Sequence, residues 1–532
     1  MIKKSVLFFL LATQIVFAQS SKKPPKPIVL TKDQVSDMKS AASTYFKEQN
    51  YNASINLYRQ LQAVEPENME YNYRLGVCYL NTNINKGMAA NFLVRASVMK
   101  DVPKDVNFHL GRALLHLGEV DDAIDTYEKY KEANNGKVNP KFNLDNHIEW
   151  CYHLRDLKKN PIDVNFYNAG KNVNSTTADF RPVIDISGDV LYFSSNRKTN
   201  TAAIVDGFGE YITDGYVAFK DTGFAKAKNL GINVNAIGYD EILSVNSNSD
   251  RMLIYKEAGS TESPLYIALA NGKSWDKATP VNKLPSSRMA GACMASNGKT
   301  IYFSAEIKGG KGGKDIWMTT QNEKGEWGAP QNLGEGVNTR FDEVNPWLFY
   351  DDKAMFFASE GHNSIGGFDI FKTEQADASQ SWSKAENIGY PLNTTDDDKY
   401  LSLTVDRKTG YVSQLRPEGL GETDIYRFVT AQPLVKSNNV LVKGNLIKAD
   451  GTVAKDASCM IVRNDTGDNM GVMKGNAITG KVTTMLPPGN YKLKVKGLKS
   501  GRLDEDFVIT GQEKNGVVTK TFKLSPPVKE GK

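Results

Sequence analysis

Thr300-Ile301-Tyr302-Phe303-Ser304, Gly309-Gly310-Lys311-Gly312-Gly313-Lys314, Asp315-Ile316-Trp317 and Asn332-Leu333-Gly334 follow one another within a single passage, and the chain repeats that passage. Its hydrophobic strand reads Val190-Leu191-Tyr192-Phe193-Ser194, Met252-Leu253-Ile254-Tyr255, Met355-Phe356-Phe357-Ala358-Ser359 and Tyr411-Val412-Ser413 elsewhere. Its Asp-led strand returns as Asp369-Ile370-Phe371 and Asp424-Ile425-Tyr426, and more loosely as Asp214-Gly215-Tyr216 and Pro264-Leu265-Tyr266. The closing strand returns as Asn229-Leu230-Gly231 and Asn387-Ile388-Gly389. Five such passages fill Phe180 to Phe428.

Short strands repeated every ~50–60 residues predict a β-propeller, one four-stranded blade per repeat. The expectation is five blades over residues 161–430, with six as the runner-up. The fifth repeat stops after its third strand. The segment Ile162–Asn174 supplies the missing one, because Ala169-Gly170-Lys171-Asn172-Val173-Asn174 resembles the closing segment before Asn235. Such a clasp leaves no exposed sheet edge to invite aggregation.

The flanking sequence has two other styles. Residues 31–158 carry a helical period of ~34 residues. Ala42, Tyr45, Ser54, Tyr58 and Pro66 form one unit; Leu75, Gly76, Tyr79, Ala89, Phe92 and Pro103 form the next. Leu110, Gly111, Leu114, Ala123, Tyr127 and Tyr130 form the third. Small residues stand where paired helices cross and large ones where they fill the groove, and the pattern resembles tetratricopeptide repeats. Leu144–Leu157 reads as a capping helix. Residues 437–525 alternate over short strands, from Val440-Leu441-Val442-Lys443-Gly444 to Thr519-Lys520-Thr521-Phe522, and predict a seven-stranded sandwich. The Val-x-Gly opening and Leu486-Pro487-Pro488-Gly489-Asn490-Tyr491 resemble the carboxypeptidase regulatory-like domain, without the zinc chemistry of carboxypeptidases. The predicted fold class is multidomain: an all-α solenoid, a propeller, then an all-β sandwich.

Residues 1–18 read as a signal peptide, with Lys3 and Lys4, an apolar run from Val6 to Leu11, and Val16-Phe17-Ala18 before Gln19. A Pro-rich leader follows at 19–30, and 526–532 form a polar tail. Export to the periplasm is therefore expected. The net charge of +5 arises from 66 basic and 61 acidic residues, a balance that argues against nucleic-acid binding. Cys78, Cys151, Cys293 and Cys459 are far apart, and buried free thiols are expected over a Cys78–Cys151 bridge.

No residue is assigned a catalytic, cofactor-binding or metal-ligating role, no cofactor is expected, and the protein is expected not to be an enzyme. Gly309–Lys314 and Gly361–Gly367 look like phosphate cradles, but a P-loop needs a helix and a Ser or Thr after the Lys. Here a strand follows, so both read as turns. Asp240-Glu241, Asp342-Glu343 and Asp396-Asp397-Asp398 recur where blades begin. They read as pins on backbone amides of neighbouring blades ahead of a glycosidase pair or a calcium site. Trp275, Trp327 and Trp382 recur before closing strands and read as packing between blades ahead of sugar stacking.

With Phe341-Asp342-Glu343-Val344-Asn345-Pro346 and Phe180-Arg181-Pro182, the blades look like the PD40/TolB-type propeller. The order signal, tetratricopeptide repeats, PD40-like propeller and regulatory-like sandwich resembles periplasmic subunits of the Bacteroidota type IX secretion and gliding-motility apparatus. It matches a PorE-like architecture without the OmpA-like domain. The resemblance implies a scaffold or adaptor with protein partners, an outer-membrane PorP/SprF-type barrel and associated secretion or adhesin subunits, and peptidoglycan contact at most indirect. Two alternatives stay open: a glycan- or peptide-binding exported propeller without a machine partner, marked by an asymmetric aromatic and acidic cluster at one mouth, and a propeller hydrolase.

Overall fold

The computed structural model describes residues 30–207, 209–220, 222–247, 249–257, 263–271, 274–281, 284, 289–375, 381–454, 457–474, 481–497 and 501–526. The segment read as a signal peptide, nearly all of the expected leader and nearly all of the expected tail lie outside them. The chain divides into two compact units, the first ending at Asn160 and the second beginning at Pro161.

The first unit is helical: α1 (Lys32–Lys47), α2 (Tyr51–Val64), α3 (Met69–Leu80), α4 (Met88–Ser97), α5 (Val106–His116), α6 (Val120–Ala133) and α7 (Leu144–Leu157). Thr31 starts α1 with a capping box: its hydroxyl accepts from the Gln34 N–H at 3.2 Å, and Gln34 Oε1 accepts from the Thr31 N–H at 2.9 Å. Each helix packs on the next, and α3, α5 and α7 also touch in alternation, which is solenoid packing. The crossings need small residues. A Cβ at Gly76 would lie 2.5 Å from Leu93 Cγ, and one at Gly111 would lie 2.4 Å from the Tyr127 ring. Tyr127 is fully buried and has no room to retreat. Gly111→Ala therefore overpacks the α5–α6 crossing and destabilises the helical unit by about 1–3 kcal/mol, read as a lower melting temperature at 222 nm. An unchanged melt would contradict that close approach.

The second unit is mostly β. Its first sheet joins Asp179–Ile184, Val190–Ser195, Asp214–Phe219 and Lys228–Asn229, and its second Asp240–Val245, Arg251–Lys256, Leu265–Asn271 and Thr279–Pro280. The third joins Ala292–Met294, Thr300–Ala305, Asp315–Thr320 and Gln331–Asn332. The fourth joins Glu343–Leu348, Ala354–Ser359, Asp369–Glu374 and Glu386–Asn387. All pairings in these sheets are antiparallel. The fifth sheet joins Leu401–Leu403, Thr409–Gln414 and Asp424–Thr430, and its outer strand is Val164–Asn168, with Val164 opposite Thr430. The strand next to the helical unit in sequence thus completes the last sheet, as its sequence indicates.

One side-chain lock recurs in four of these sheets. The third-strand Asp accepts from an Asn of the outer strand: Asp214 from Asn229, Asp315 from Asn332, Asp369 from Asn387 and Asp424 from Asn168, at 2.7–2.8 Å. A second Asn, six residues on, donates to the first (Asn235, Asn338, Asn393, Asn174). The second Asn also bonds both backbone groups of the residue after the Asp, Gly215, Ile316, Ile370 or Ile425. Each lock satisfies buried backbone polar groups just beyond the end of the outer strand, which has only two residues in three of the four sheets. In the fifth sheet the partners lie 256 residues apart, so the lock joins the two ends of the repeated region.

Neighbouring sheets pack in succession, and Asp179–Ile184 of the first packs on Thr409–Gln414 of the fifth. After the fifth sheet come a three-stranded sheet (Lys481–Leu486, Val440–Ile447, Val517–Lys523) and a four-stranded one (Asn469–Lys474, Ser458–Arg463, Gly489–Gly497, Gly501–Ile509). Their facing sides enclose a core around Leu446, Ile461, Tyr491 and Phe522. Leu441 and Val435 instead enter one hydrophobic cluster with Ile186, Phe349, Tyr350 and Val405 of the preceding sheets. Lys443 Nζ donates to the Ser187 carbonyl at 2.6 Å, and Ser437 Oγ to Asp351 at 2.7 Å. The sandwich is therefore docked on the turns between first and second strands.

Candidate functional site

The first strands of three sheets, and the residues that lead into those of the other two, line one pocket of about 400 Å³. Arg181 comes from the first sheet, Glu241 from the second, Asn345 from the fourth, and Tyr400 from the residue before the fifth sheet's first strand. Ala290 stands just before the third sheet's first strand. Tyr239, Tyr255, Glu257, Phe368, Lys314 and Lys399 complete most of the wall.

Backbone geometry aims two of these side chains. Pairing of the first two strands slips between Phe180 and Val183 and between Val344 and Trp347. The bulged residues Arg181 and Asn345 sit at φ 52° and 54°, and Gly291, at the corresponding place in the third sheet, at φ 141°. Left-handed backbone costs a non-glycine residue on the order of 1–3 kcal/mol and persists where surrounding structure enforces it. Bulges of this kind re-aim side chains beside functional sites. Here they turn a guanidinium and an amide toward the pocket.

Arg181 Nε donates to Glu241 Oε2 at 2.6 Å, and its guanidinium lies 4.7 Å from the Tyr400 ring centre. Burial works to discharge Arg181, but Tyr400 and Glu241 outweigh it and its pKa is raised. Lys399 pairs with Asp397 at 2.6 Å and covers the Phe368 ring at 4.7 Å; Lys314 pairs with Asp342 at 2.7 Å. Tyr239 donates to Asp206 at 2.8 Å, and burial followed by that bond pushes its hydroxyl up to about 12. Asn345 Oδ1 is buried with no hydrogen-bond donor in reach among the described residues. The pocket thus combines aromatic side chains, three matched ion pairs and the Glu257 carboxylate, while Asn345 Oδ1 is sealed beside Gly291.

The acidic pairs divide their work. Asp342 accepts from the Lys314 N–H at 2.8 Å, from the third sheet to the fourth, and Asp397 from the Phe368 N–H at 3.2 Å, from the fourth to the fifth. Glu343 takes the Thr339 N–H and the Thr339 and Ser359 hydroxyls at 2.6–2.8 Å. Despite these donors, burial pushes its carboxyl up to about 7. Asp398, holding Thr394 and Gln414, is likewise pushed up to about 7 by burial. Asp240 accepts from the Ala236 N–H and pairs with Lys256. These residues pin loops, whereas Glu241, read from sequence as one of them, points into the pocket.

The glycine loops are turns between second and third strands, shaped by close approach. Cβ atoms at Gly312, Gly366 and Gly421, each three residues before the third-strand Asp, would lie 2.2–2.5 Å from backbone of Arg340, Thr395 and Thr177. Those backbone segments lead into the next sheet. The tryptophans pack between sheets: Trp275 lies edge-on to Tyr192 at 6.0 Å, Trp382 edge-on to Tyr302 at 5.7 Å, and Trp327 against the cluster of the second and third sheets. All four cysteines are buried free thiols, and burial pushes Cys78, Cys151 and Cys459 up to about 12. Among the described residues, no group of three or more His, Cys, Asp or Glu side chains is placed to hold a metal ion.

The tetratricopeptide repeat family matches residues 40–85 and 89–137. The helical region consists of tetratricopeptide repeats. No curated protein matches the chain in sequence. Among solved structures, the Yersinia enterocolitica type III secretion translocator chaperone SycD is similar at 17% identity over 24% of this chain and 90% of its own, with TM-score 0.21. A GH43 protein from Bacillus licheniformis is similar at 11% identity over 65% of this chain and 87% of its own, with TM-score 0.31. A puromycin-hydrolyzing peptidase from Mycobacterium tuberculosis is similar at 9% identity over 65% and 54%, with TM-score 0.21. These last two are enzymes, and with them the expectation that this chain is not an enzyme is corrected. At this level of likeness they assign it no reaction.

Proposed function

We propose that the protein is an exported binding protein: a five-bladed β-propeller captures a glycan or peptide in its central pocket, and the tetratricopeptide repeats engage a protein partner. The observation that carries this reading is the asymmetry of the pocket. The pinning carboxylates recur from sheet to sheet as Asp179, Asp240, Glu343 and Asp398, but the pocket residues one or two places on are Arg181, Glu241, Asn345 and Tyr400. Repetition serves architecture. A set of different side chains converging on one cavity serves recognition. Five sheets that close back on the first support the five-bladed reading over six.

The test is a thermal-shift screen of the full chain against soluble glycan and peptide libraries. Hits are expected to raise the melting temperature of the wild type and to fail with Arg181→Ala, whose own melt is recorded beside it. Hits that stabilise both proteins equally would move the site elsewhere, and product released from a hit would convert the reading to a propeller hydrolase.

A second reading is a periplasmic adaptor on an outer-membrane PorP/SprF-type barrel of the type IX apparatus. The order of the regions and the tetratricopeptide match favour it. Such repeats offer a groove for a partner segment, and several modest surfaces on one chain raise avidity. Deleting Thr31–Leu157 is then expected to weaken recovery of cross-linked membrane complexes while the propeller stays folded. Equal recovery would sink this reading.

A further inference from the structure

We propose that the pocket is a blind cup that takes the end of a neutral glycan chain, an inference that rests on the pocket being the binding site. The pocket lies where the first strands begin. At their other ends the turns into the second strands are packed shut. Tyr350, buried in the fourth sheet's turn, donates to the Ile184 carbonyl of the first sheet at 2.8 Å. Its own carbonyl accepts from Ser247 of the second at 3.2 Å. Asp352 accepts from the Ser296 N–H of the third at 3.0 Å. Leu441 of the sandwich, with Met485 and Val517 against the same cluster, covers this side. A ligand that enters at the open mouth meets a floor, so a polymer can present its end but cannot thread through.

The ligand chemistry follows from the wall. Each pocket cation already faces a carboxylate: Arg181 with Glu241, Lys314 with Asp342, Lys399 with Asp397. An ionic ligand would have to break a matched pair in a partly desolvated place, whereas hydroxyls can use the donors and acceptors those pairs leave over. Tyr239, Tyr255 and Tyr400 offer ring faces beside polar tips, which suits the apolar C–H faces and hydroxyl rims of sugar rings. A ligand ending in a carboxylate would meet no unmatched cation in this wall, where the charge outside the matched pairs is the Glu257 carboxylate.

The experiment measures binding of the full chain to linear neutral gluco-, manno- and xylo-oligosaccharides from dimer to octamer, to cyclic gluco-oligosaccharides, and to uncharged peptides of similar size. Affinity is expected to rise over the first few sugars and then level off, with cyclic forms failing to bind. Tyr255→Leu is expected to weaken binding about tenfold, with its own melt recorded beside it. Tyr400→Leu is expected to weaken it as well. Affinity that climbs through the octamer, or equal binding of cyclic forms, overturns the blind cup. Binding of peptides alone, or of none of these probes, overturns the glycan class. Glycan binding indifferent to both substitutions overturns the pocket reading itself.

Discussion

A β unit that begins at Ser175 is expected to melt at least about 10 °C below one that begins at Pro161. The difference between them is the outer strand of the fifth sheet. Its loss strips five backbone pairings from Asp424–Thr430. It uncovers the contacts of Phe166, whose ring carries the Arg416 guanidinium 3.5 Å from its centre and faces Phe428 at 6.5 Å. It also removes Asn168 and Asn174, leaving both backbone groups of Ile425 without partners in a buried place and Asp424 with only the Leu420 and Gly421 N–H groups. Each buried apolar side chain is worth about 1.5–3 kcal/mol and each unsatisfied buried group costs about 1–3 kcal/mol. The sum is a large share of the 5–15 kcal/mol that stabilises an ordinary domain. Asn174→Ala in the full chain is the gentler version and is expected to lower the β transition alone. Equal melting of the two fragments would mean that the fifth sheet holds without this strand.

The two units are expected to respond to pH in opposite directions. In the helical unit, burial holds His109 and His147 down at about 3, with Arg112 adding to it in both. Asp105 lies 3.9 Å from His109 and its charge works the other way. A histidine whose folded pKa is depressed binds fewer protons folded than unfolded, so stability is intact above ~6.5 and falls as the pH drops below it, by about 1–2 kcal/mol per residue at pH 5. In the β unit, burial raises Glu343 and Asp398 to about 7 and Asp352 to about 6. These carboxyls bind protons more tightly folded than unfolded. Their stability is therefore full below ~4 and is lost as the pH rises through 7, on the order of 1–3 kcal/mol each. Melting at pH 5 and pH 8, followed at 222 nm for the helices and by tryptophan emission for the sheets, reads the two slopes. Five of the six tryptophans belong to the β unit, which makes the emission selective. Parallel shifts of both transitions would contradict this assignment of buried charge.

The repeat was legible because it is a packing code. Tyr-Phe-Ser strands are buried along their whole length, and the Asp-led strands carry the lock that holds the short outer strand. Even the clasp could be read, since Asn168 and Asn174 keep the six-residue spacing of Asn229 and Asn235. The pocket was less legible. Arg181 and Asn345 reach it only through left-handed bulges, a backbone event that leaves Arg-Pro and Asn-Pro as its faint trace. Tyr400 and Glu241 sit beside the pinning carboxylates Asp398 and Asp240, and their neighbours' regularity hid them. Trp275, Trp327 and Trp382 drew attention as aromatics, yet the aromatic faces of the pocket are Tyr239, Tyr255, Tyr400 and Phe368. The docking of the sandwich was silent in sequence, because Leu441 alternates like any strand residue, and only its partners Phe349 and Tyr350 reveal which core it joins.

The central claim is that ligand is held where the five first strands begin. The most direct measurement is a crystal structure of the full chain soaked with the tightest-binding oligosaccharide. Sugar density is expected among Tyr239, Tyr255 and Tyr400, with the chain end toward Tyr350. Density on the helical repeats or the sandwich, with the pocket holding only solvent, would contradict it.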